Sequence, residues 1–208
     1  MSQERPWKGG FVVFEGIDGS GTTTQCRMLA ERVETTGRET WTTSEPTRGP
    51  VGRLLRDILA GRTAAAPETI AYLFAADRSD HLHGSNGIID RLERGELVVC
   101  DRYKYSSLAY QSVENDCGLV SDLNRRFADP DIVFFVDLPA SVAEQRIADR
   151  PLREIYERTE FQEQVRSRYL EVLTNVGRNV RVEILDGTEP QAAIAEKIWL
   201  LLGETSIL

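Results

Sequence analysis

The stretch GFVVFEGIDGSGTT, residues 10–23, is the strongest indicator of the fold in this sequence. Residues 10–15 form a nearly continuous apolar run, which is typical of a strand covered on both faces. Residues 16–23 match the phosphate-loop spacing GxxxxGK[ST], except that Thr22 replaces the lysine. Glycines in such a loop let backbone N–H groups converge on an anion, and the following helix adds its positive N-terminus. The stretch therefore predicts a phosphate-binding loop between a buried strand and a helix.

Short apolar runs alternate with amphipathic segments along the rest of the chain, which predicts an α/β fold with a parallel sheet. We expect strands at residues 10–15, 38–43, 96–101, 131–138 and 180–185. We expect helices at residues 23–36, 51–60, 67–94, 106–113, 121–127, 140–149, 156–176 and 190–202, the third being kinked or split by Gly84 and Gly87. Ligands of such sheets bind beyond the carboxyl ends of the strands.

The composition excludes several classes of protein. The 33 acidic residues outnumber the 25 basic residues and give a net charge of -8, which argues against general nucleic-acid binding. Three cysteines without a CxxC pair indicate neither a zinc site nor a disulfide framework. The opening residues MSQERPWKGG lack the apolar core of a signal peptide, and no apolar run is long enough to span a bilayer. We therefore expect a cytoplasmic chain without a membrane segment.

Two carboxylates mark the predicted phosphate site. Asp101 closes a predicted strand beside the loop and, with the hydroxyl of Thr23, is a candidate ligand of Mg²⁺. Arg102 follows it and offers a planar fork for phosphate oxygens. Asp18 lies inside the loop, where bare phosphate would repel it. It faces a magnesium shell, an arginine or a hydroxyl group of a second substrate, unless it only stabilises the turn.

Four segments together resemble the thymidylate kinase family. They are FEGIDGSGTTTQ, LFAADRSDH, DRYKYSSLAYQ and IYERTEFQE, in this order, and the resemblance covers nearly the whole chain. It implies a three-layer sandwich of the P-loop NTPase type, with a five-stranded parallel sheet flanked by helices. It also implies one domain over residues 1–208, a short lid at about residues 146–158, Mg²⁺ as cofactor and a homodimer. The implied reaction transfers the γ-phosphoryl group of ATP to dTMP.

The resemblance also assigns residue roles. It implies that Phe74 stacks on thymine and that Arg78 hydrogen-bonds the base, with Ser107 and Tyr110 near base and sugar and Gln111 a weaker candidate. Tyr103 is expected to line the deoxyribose, and Arg48 and Arg102 are expected to contact the dTMP phosphate, whereas Arg53 and Arg56 are expected on a solvated helix face. The residues expected to bind ATP are Gly16, Ile17, Asp18, Gly19, Ser20, Gly21, Thr22 and Thr23. The Asp186-Gly187-Thr188 segment resembles the loop beside the adenine.

The expected catalytic residues are Asp18, Arg102, Arg150 and Arg153, with Asp18 also beside dTMP. Arg150 and Arg153 belong to the lid, which is expected to close over ATP and to supply the charge that Thr22 does not. Two other functions stay open. A deoxynucleoside kinase would need a carboxylate base, for which Glu45 is available. A nucleotide-binding regulatory protein would account for the lost loop lysine.

Overall fold

The computed structural model describes residues 7–148, 155–177 and 179–207. Within these residues, a five-stranded sheet has the strand order β2-β3-β1-β4-β5, and every neighbouring pair is parallel. Its strands are β1 (Gly10–Gly16), β2 (Thr40–Ser44), β3 (Leu97–Asp101), β4 (Ile132–Asp137) and β5 (Arg181–Asp186). The expected parallel α/β fold is confirmed, and each strand lies within two residues of its predicted position.

Helices cover both faces of this sheet. They are α1 (Thr22–Glu34), α2 (Pro50–Leu59), α3 (Pro67–His83), α4 (Ile88–Glu93), α5 (Lys104–Glu114), α6 (Cys117–Asn124), α7 (Ala140–Ile147), α8 (Thr159–Thr174) and α9 (Gln191–Gly203). The long stretch at residues 67–94 splits where Gly84 and Gly87 lie, as expected. A Cβ on Gly87 would lie 2.7 Å from each of two carbonyl oxygens, so the turn between α3 and α4 requires glycine there.

The central strand β1 explains the continuous apolar run of the sequence. All of its residues are buried, because helices pack on both of its faces. Phe11 and Val13 belong to the core cluster that includes residues of α5 and α8. Val12 and Phe14 belong to the opposite cluster, which includes residues of α1 and α9. The three-layer arrangement thus follows from alternation along one strand.

The carboxyl ends of the strands meet at one edge of the sheet. In the ladder, Phe14 and Ser44 both pair with Asp101, and Gly16 pairs with Val136. This register brings the phosphate loop after β1 next to the ends of β2, β3 and β4. None of the described helices is long and apolar enough to cross a membrane.

Candidate active site

A cleft of about 1940 Å³ opens at this edge of the sheet. Pockets for one small ligand reach about 1,000 Å³, so the cleft has room for two nucleotide-sized ligands. The phosphate loop, the segment after β2, and side chains of α3 and α5 line it. The predicted site residues that line it within the described part of the chain are Asp18, Gly19, Gly21, Thr22, Thr23, Arg48, Phe74, Arg78, Asp101, Arg102, Tyr103 and Tyr110.

The phosphate loop has the backbone that its glycines allow. Gly19 and Gly21 adopt φ angles of 86° and 100°, which L-residues with side chains rarely adopt. At Gly16 a Cβ would lie 2.4 Å from Oγ of Ser20, so that position needs the close approach of glycine. The side chain of Ile17 is buried in the core, which leaves only its backbone for a ligand.

Oxygen atoms suited to Mg²⁺ meet beside the loop. Oγ1 of Thr23 lies 2.5 Å from Oδ2 of Asp101. The other carboxylate oxygen, Oδ1 of Asp101, is buried and has no hydrogen-bond partner among the described residues. No group of three His, Cys, Asp or Glu side chains that could hold a metal occurs in residues 7–148, 155–177 and 179–207. Two protein oxygens completed by water and phosphate oxygens are typical of Mg²⁺ sites, so the residues present fit this cation.

Asp18 faces an arginine and an amide. Its Oδ1 lies 2.6 Å from Nη2 of Arg102, and its Oδ2 accepts a hydrogen bond of 2.8 Å from Nε2 of Gln162. The backbone N–H of Asp18 donates to Oε1 of the same glutamine. Gln162 also donates to the carbonyl of Tyr156, which belongs to the described C-terminal end of the expected lid. Of the alternatives for Asp18, the structure thus shows an arginine partner.

The backbone of Arg102 turns the chain from β3 into α5. Its φ angle of 69° lies in the left-handed region, which costs a side-chain-bearing residue about 1–2 kcal/mol. The conformation is held from both sides, because its N–H donates to the carbonyl of Phe14 and its Nη1 donates to the carbonyl of Gly16. Strained backbone of this kind recurs at functional sites. Here it aims the guanidinium at the phosphate loop.

At the other end of the cleft, Arg78 is almost fully engaged. It is 1% exposed, and its Nε and Nη2 both contact Oε2 of Glu45. Nη1 donates to Oδ1 of Asn124, and Nη2 also donates to Oγ of Ser107. These contacts use four of the five N–H groups of a guanidinium. One N–H of Nη1 is left for a ligand in the cleft.

Glu45 is therefore not a free base. Glu45 is only 4% exposed. Its Oε2 is paired with Arg78, and its Oε1 lies 3.0 Å from Nδ1 of His81. The other imidazole nitrogen of His81 lies 2.7 Å from Oγ1 of Thr43. A carboxylate engaged by an arginine and a histidine in this way is less suited to take a proton from a sugar hydroxyl.

The α3 and α5 residues expected near the base divide into two groups. Phe74, Tyr110 and Gln111 line the cleft, and Oε1 of Gln111 is buried without a hydrogen-bond partner among the described residues. Ser107 does not line the cleft. Its hydroxyl instead accepts a hydrogen bond from Arg78, which does line it. The hydroxyl of Tyr103 donates to the carbonyl of Ala128, so only its ring is available to a sugar. Gln111 follows Ser107 by one helical turn, and its orphaned oxygen makes it the better candidate of the two.

The segment after β2 presents two arginines to the cleft. Arg48 is exposed and lines it as expected. Arg56 of α2 also lines it, and its Nη2 donates to the carbonyl of Pro46, although the sequence indicates a solvated face. Thr47 fixes the segment by donating from N and Oγ1 to the buried carboxylate of Asp77 on α3. Arg56 follows Arg48 by eight residues. The sequence could not show that both side chains face the cleft, because this depends on how the chain turns between β2 and α2.

The lid region is described at its two ends. Arg146, at the end of α7, lines the cleft and donates from Nη2 to the carbonyl of Gly187 in the expected adenine-side loop. Near the other end of the expected lid, Tyr156 lines the cleft and stacks on Phe161 with 4.8 Å between the ring centroids. Arg150 and Arg153 lie outside the described residues.

Comparisons with known proteins agree on one family. The family model described as Thymidylate kinase matches residues 14–198. A Thermococcus kodakarensis protein named "Probable thymidylate kinase" is 41% identical over 205 residues, which cover 93% of this chain and 99% of that protein. A Methanocaldococcus jannaschii protein of the same name is 41% identical over 163 residues, covering 78% and 80%. A Treponema pallidum protein, whose name also contains the words thymidylate kinase, is 46% identical over 160 residues, covering 76% of each chain. The chain therefore belongs to the thymidylate kinase family.

Proposed function

We propose that this chain transfers the γ-phosphoryl group of ATP to the phosphate of dTMP and so produces ADP and dTDP. The observation that carries the proposal is the polar pattern at the base end of the cleft. There Arg78 has one N–H left to donate, and Gln111 has a buried oxygen left to accept. Thymine presents a carbonyl oxygen beside its ring N–H, and this pair complements the two groups. Cytosine carries an amino donor where thymine has the carbonyl, so in the same orientation it would leave the N–H of Arg78 without an acceptor.

The remaining binding roles extend from this end. Phe74, on the same helix as Arg78, lines the cleft at a place where its ring can stack on the base. Arg48, in the segment after β2, and Arg56, on α2, line the cleft and can hold the acceptor phosphate. Asp18, which is held by Arg102 and Gln162, is proposed to accept a hydrogen bond from a sugar hydroxyl. Tyr110 and the ring of Tyr103 complete the sugar region.

The chemistry needs position and charge rather than a strong base. The second pKa of a phosphate monoester is about 6, so the acceptor oxygen is already nucleophilic near neutral pH. Backbone N–H groups of residues 16–23 hold the donor phosphates, and Arg102 stabilises charge on the group in transfer. Mg²⁺, held by Thr23 and Asp101, would neutralise charge on the ATP phosphates. Arg150 and Arg153 are proposed to complete the charge when the lid closes, in place of a lysine at position 22.

The assembly and location of the protein are part of the same proposal. We infer one kinase domain over residues 1–208 with a lid at about residues 146–158, and a homodimer as in the family. Sedimentation velocity at two protein concentrations tests the dimer. Cys26, Cys100 and Cys117 are free thiols, which supports a reducing, cytoplasmic compartment.

A panel of acceptors tests the function. ADP release from ATP is measured with dTMP, dUMP, dCMP, dGMP and thymidine, each at the same concentration, and with EDTA as the Mg²⁺-free control. We expect dTMP to be phosphorylated and dCMP to be a much poorer acceptor. Turnover of thymidine without turnover of dTMP would identify a deoxynucleoside kinase. ATP binding without turnover of any acceptor would identify a regulatory nucleotide-binding protein.

A further inference from the structure

A buried carboxylate lies directly under the active site, outside the residues assigned so far. Glu15, the penultimate residue of β1, has no solvent exposure. Its Oε1 accepts hydrogen bonds from the backbone N–H groups of Tyr103 and Ser106. Its Oε2 lies 2.6 Å from Oγ of Ser106 and 2.9 Å from the hydroxyl of Tyr169. One carboxylate thus accepts hydrogen bonds from the residue that precedes α5, from the first turn of α5 and from a side chain of α8.

These contacts reach Arg102 by two routes. The first is the backbone, because Tyr103, whose N–H is bound by Glu15, follows the left-handed Arg102 directly. The second is the Tyr169 hydroxyl, which lies 3.4 Å from Nη1 of Arg102 and donates to Glu15. Glu15 itself does not touch the cleft. Both ends of Arg102, its strained backbone and its guanidinium, are therefore tied to the same buried group.

A carboxylate in this position costs stability. Burial raises the pKa of Glu15 to about 7, although the hydrogen bonds and the nearby Arg102 lower it. Among the described groups Arg102 is the cation that acts on it, and Asp101 is the anion at the end of β3. The other titratable neighbours have pKa values that burial raises, so they stay neutral near pH 7: Cys26, Cys100, Tyr103, Tyr105, Tyr110 and Tyr169. An apolar residue would stabilise β1 better, which favours a functional reason for the carboxylate.

We propose that Glu15 is a positioning residue for phosphoryl transfer, which holds the first turn of α5 and the Arg102 guanidinium in their active geometry. The proposal rests on the proposed function in one respect, the catalytic role of Arg102. Glu15 touches neither substrate. Its effect therefore passes through Arg102, and this dependence distinguishes positioning from a purely structural role.

The first test compares two buried carboxylates. Glu15→Gln keeps the size of the side chain but replaces one acceptor oxygen with a donor, so the bonds of β1 to α5 and α8 cannot all form. The matched control is Glu96→Gln, whose carboxylate is also buried and bound by Arg91 and Arg94, at the opposite edge of the sheet. We expect Glu15→Gln to lower kcat by about 10- to 100-fold, the scale for a misplaced catalytic group, with KM for ATP unchanged within about twofold. Glu96→Gln should leave both constants unchanged.

The second test is a double-mutant cycle on kcat that combines Glu15→Gln with Arg102→Ala. Turnover is measured as phosphoryl transfer from radiolabelled ATP, which detects low rates. If Glu15 acts through Arg102, Glu15→Gln should lower kcat by less than about twofold in the Arg102→Ala background. An undiminished effect in that background, or a folded Glu15→Gln with wild-type kcat, would overturn the proposal. If Glu15→Gln does not fold, Tyr169→Phe takes its place in the cycle, with an expected loss of roughly fivefold for one hydrogen bond. Additive losses for Tyr169→Phe and Arg102→Ala would equally overturn it.

The dependence of kcat on pH supplies a readout that a structural role would not change. The ionised carboxylate accepts all of its hydrogen bonds, whereas the protonated form must donate one and so loses a partner. Wild-type kcat should therefore fall below about pH 7, and Glu15→Gln should lack this step while keeping the one from the acceptor phosphate near 6. An identical profile in both proteins would contradict the proposal. Failure of the wild type to phosphorylate dTMP would instead refute the proposed function.

Discussion

Nη2 of Arg102 lies 2.6 Å from Oδ1 of Asp18, and this ion pair joins the end of β3 to the phosphate loop. The guanidinium is also bound by the carbonyl of Gly16, so it stays next to the loop without any ligand. The other oxygen of Asp18 is bound by Gln162 of α8. The pair thus links the phosphate loop, the end of β3 and α8 at the cleft.

Arg102→Ala should lower kcat by about 10²-fold or more, on the scale of removing one group that stabilises transition-state charge. Steady-state kinetics measures the loss, and thermal denaturation verifies that the variant is folded. Arg94→Ala is the matched control, because Arg94 also pairs with a carboxylate but lies away from the cleft. If Arg102→Ala keeps more than about a tenth of the wild-type kcat, its assignment to the transfer step is wrong.

Phe74→Ala should raise KM for dTMP by about ten- to a hundredfold and leave KM for ATP nearly unchanged, since stacking on a base is worth roughly 1–3 kcal/mol. Tyr72→Ala provides the control, because Tyr72 lies on the same helix and is 48% exposed. Isothermal titration with dTMP checks the direction independently of turnover. A less stable Phe74→Ala protein with an unchanged dTMP constant would make Phe74 a core residue only.

The fold could be predicted from the sequence because its signals are local. The apolar run at residues 10–15 and the glycines of the phosphate loop determine a buried strand, a turn and a helix with little help from the rest of the chain. Strand order could not be derived from the residues alone, because it depends on which helices pack on which face. The start of α5 at Lys104, two residues before the prediction, follows from the left-handed backbone of Arg102, which periodicity does not reveal.

The sequence predicted that several of its candidate residues lie together at the carboxyl ends of the strands, but it did not predict their contacts. Asp18, Thr23, Asp101 and Arg102 meet as their positions at strand ends indicate. The pairing of Arg78 with Glu45 joins residues 33 positions apart, and the local sequence around either residue gives no signal of it. That contact engages the carboxylate that a deoxynucleoside kinase would use as its base, which disfavours this function. It also leaves Arg78 with a single free N–H, a property that only the three-dimensional arrangement defines.

Thr22→Lys should help little in the wild type and should partly rescue Arg150→Ala or Arg153→Ala. Thr22 opens α1 and is 5% exposed, so a lysine there must extend from the loop into the cleft, where it can restore the lost charge. Each lid variant alone should lower kcat by roughly 10²-fold with little change in ATP binding. A double-mutant cycle on kcat measures the coupling between position 22 and each lid arginine. Strictly additive effects would mean that the two positions do not stabilise the same charge.

Glu15 should make the free energy of unfolding depend on pH. Its pKa is about 7 in the folded state and near the ordinary 4.5 in the unfolded state, so between these values the folded protein keeps a proton that the unfolded chain has released. Its contribution is therefore fully present below about pH 4.5 and is lost as the pH rises through 7. Relative to Glu15→Gln, the wild type should lose roughly 2–3 kcal/mol between pH 5 and pH 8 in urea denaturation. Parallel pH curves for the two proteins would show that the Glu15 carboxyl titrates normally.

The most direct measurement is a ³¹P NMR time course of the wild type with ATP, dTMP and Mg²⁺. The proposed reaction predicts that the γ-phosphate signal of ATP disappears while the signals of two nucleoside diphosphates, ADP and dTDP, grow in equal amounts. Inorganic phosphate should not accumulate, because the phosphoryl group passes to dTMP rather than to water. Growth of inorganic phosphate with dTMP unchanged, or unchanged spectra over many hours, would contradict the assignment of this chain as a dTMP-phosphorylating enzyme.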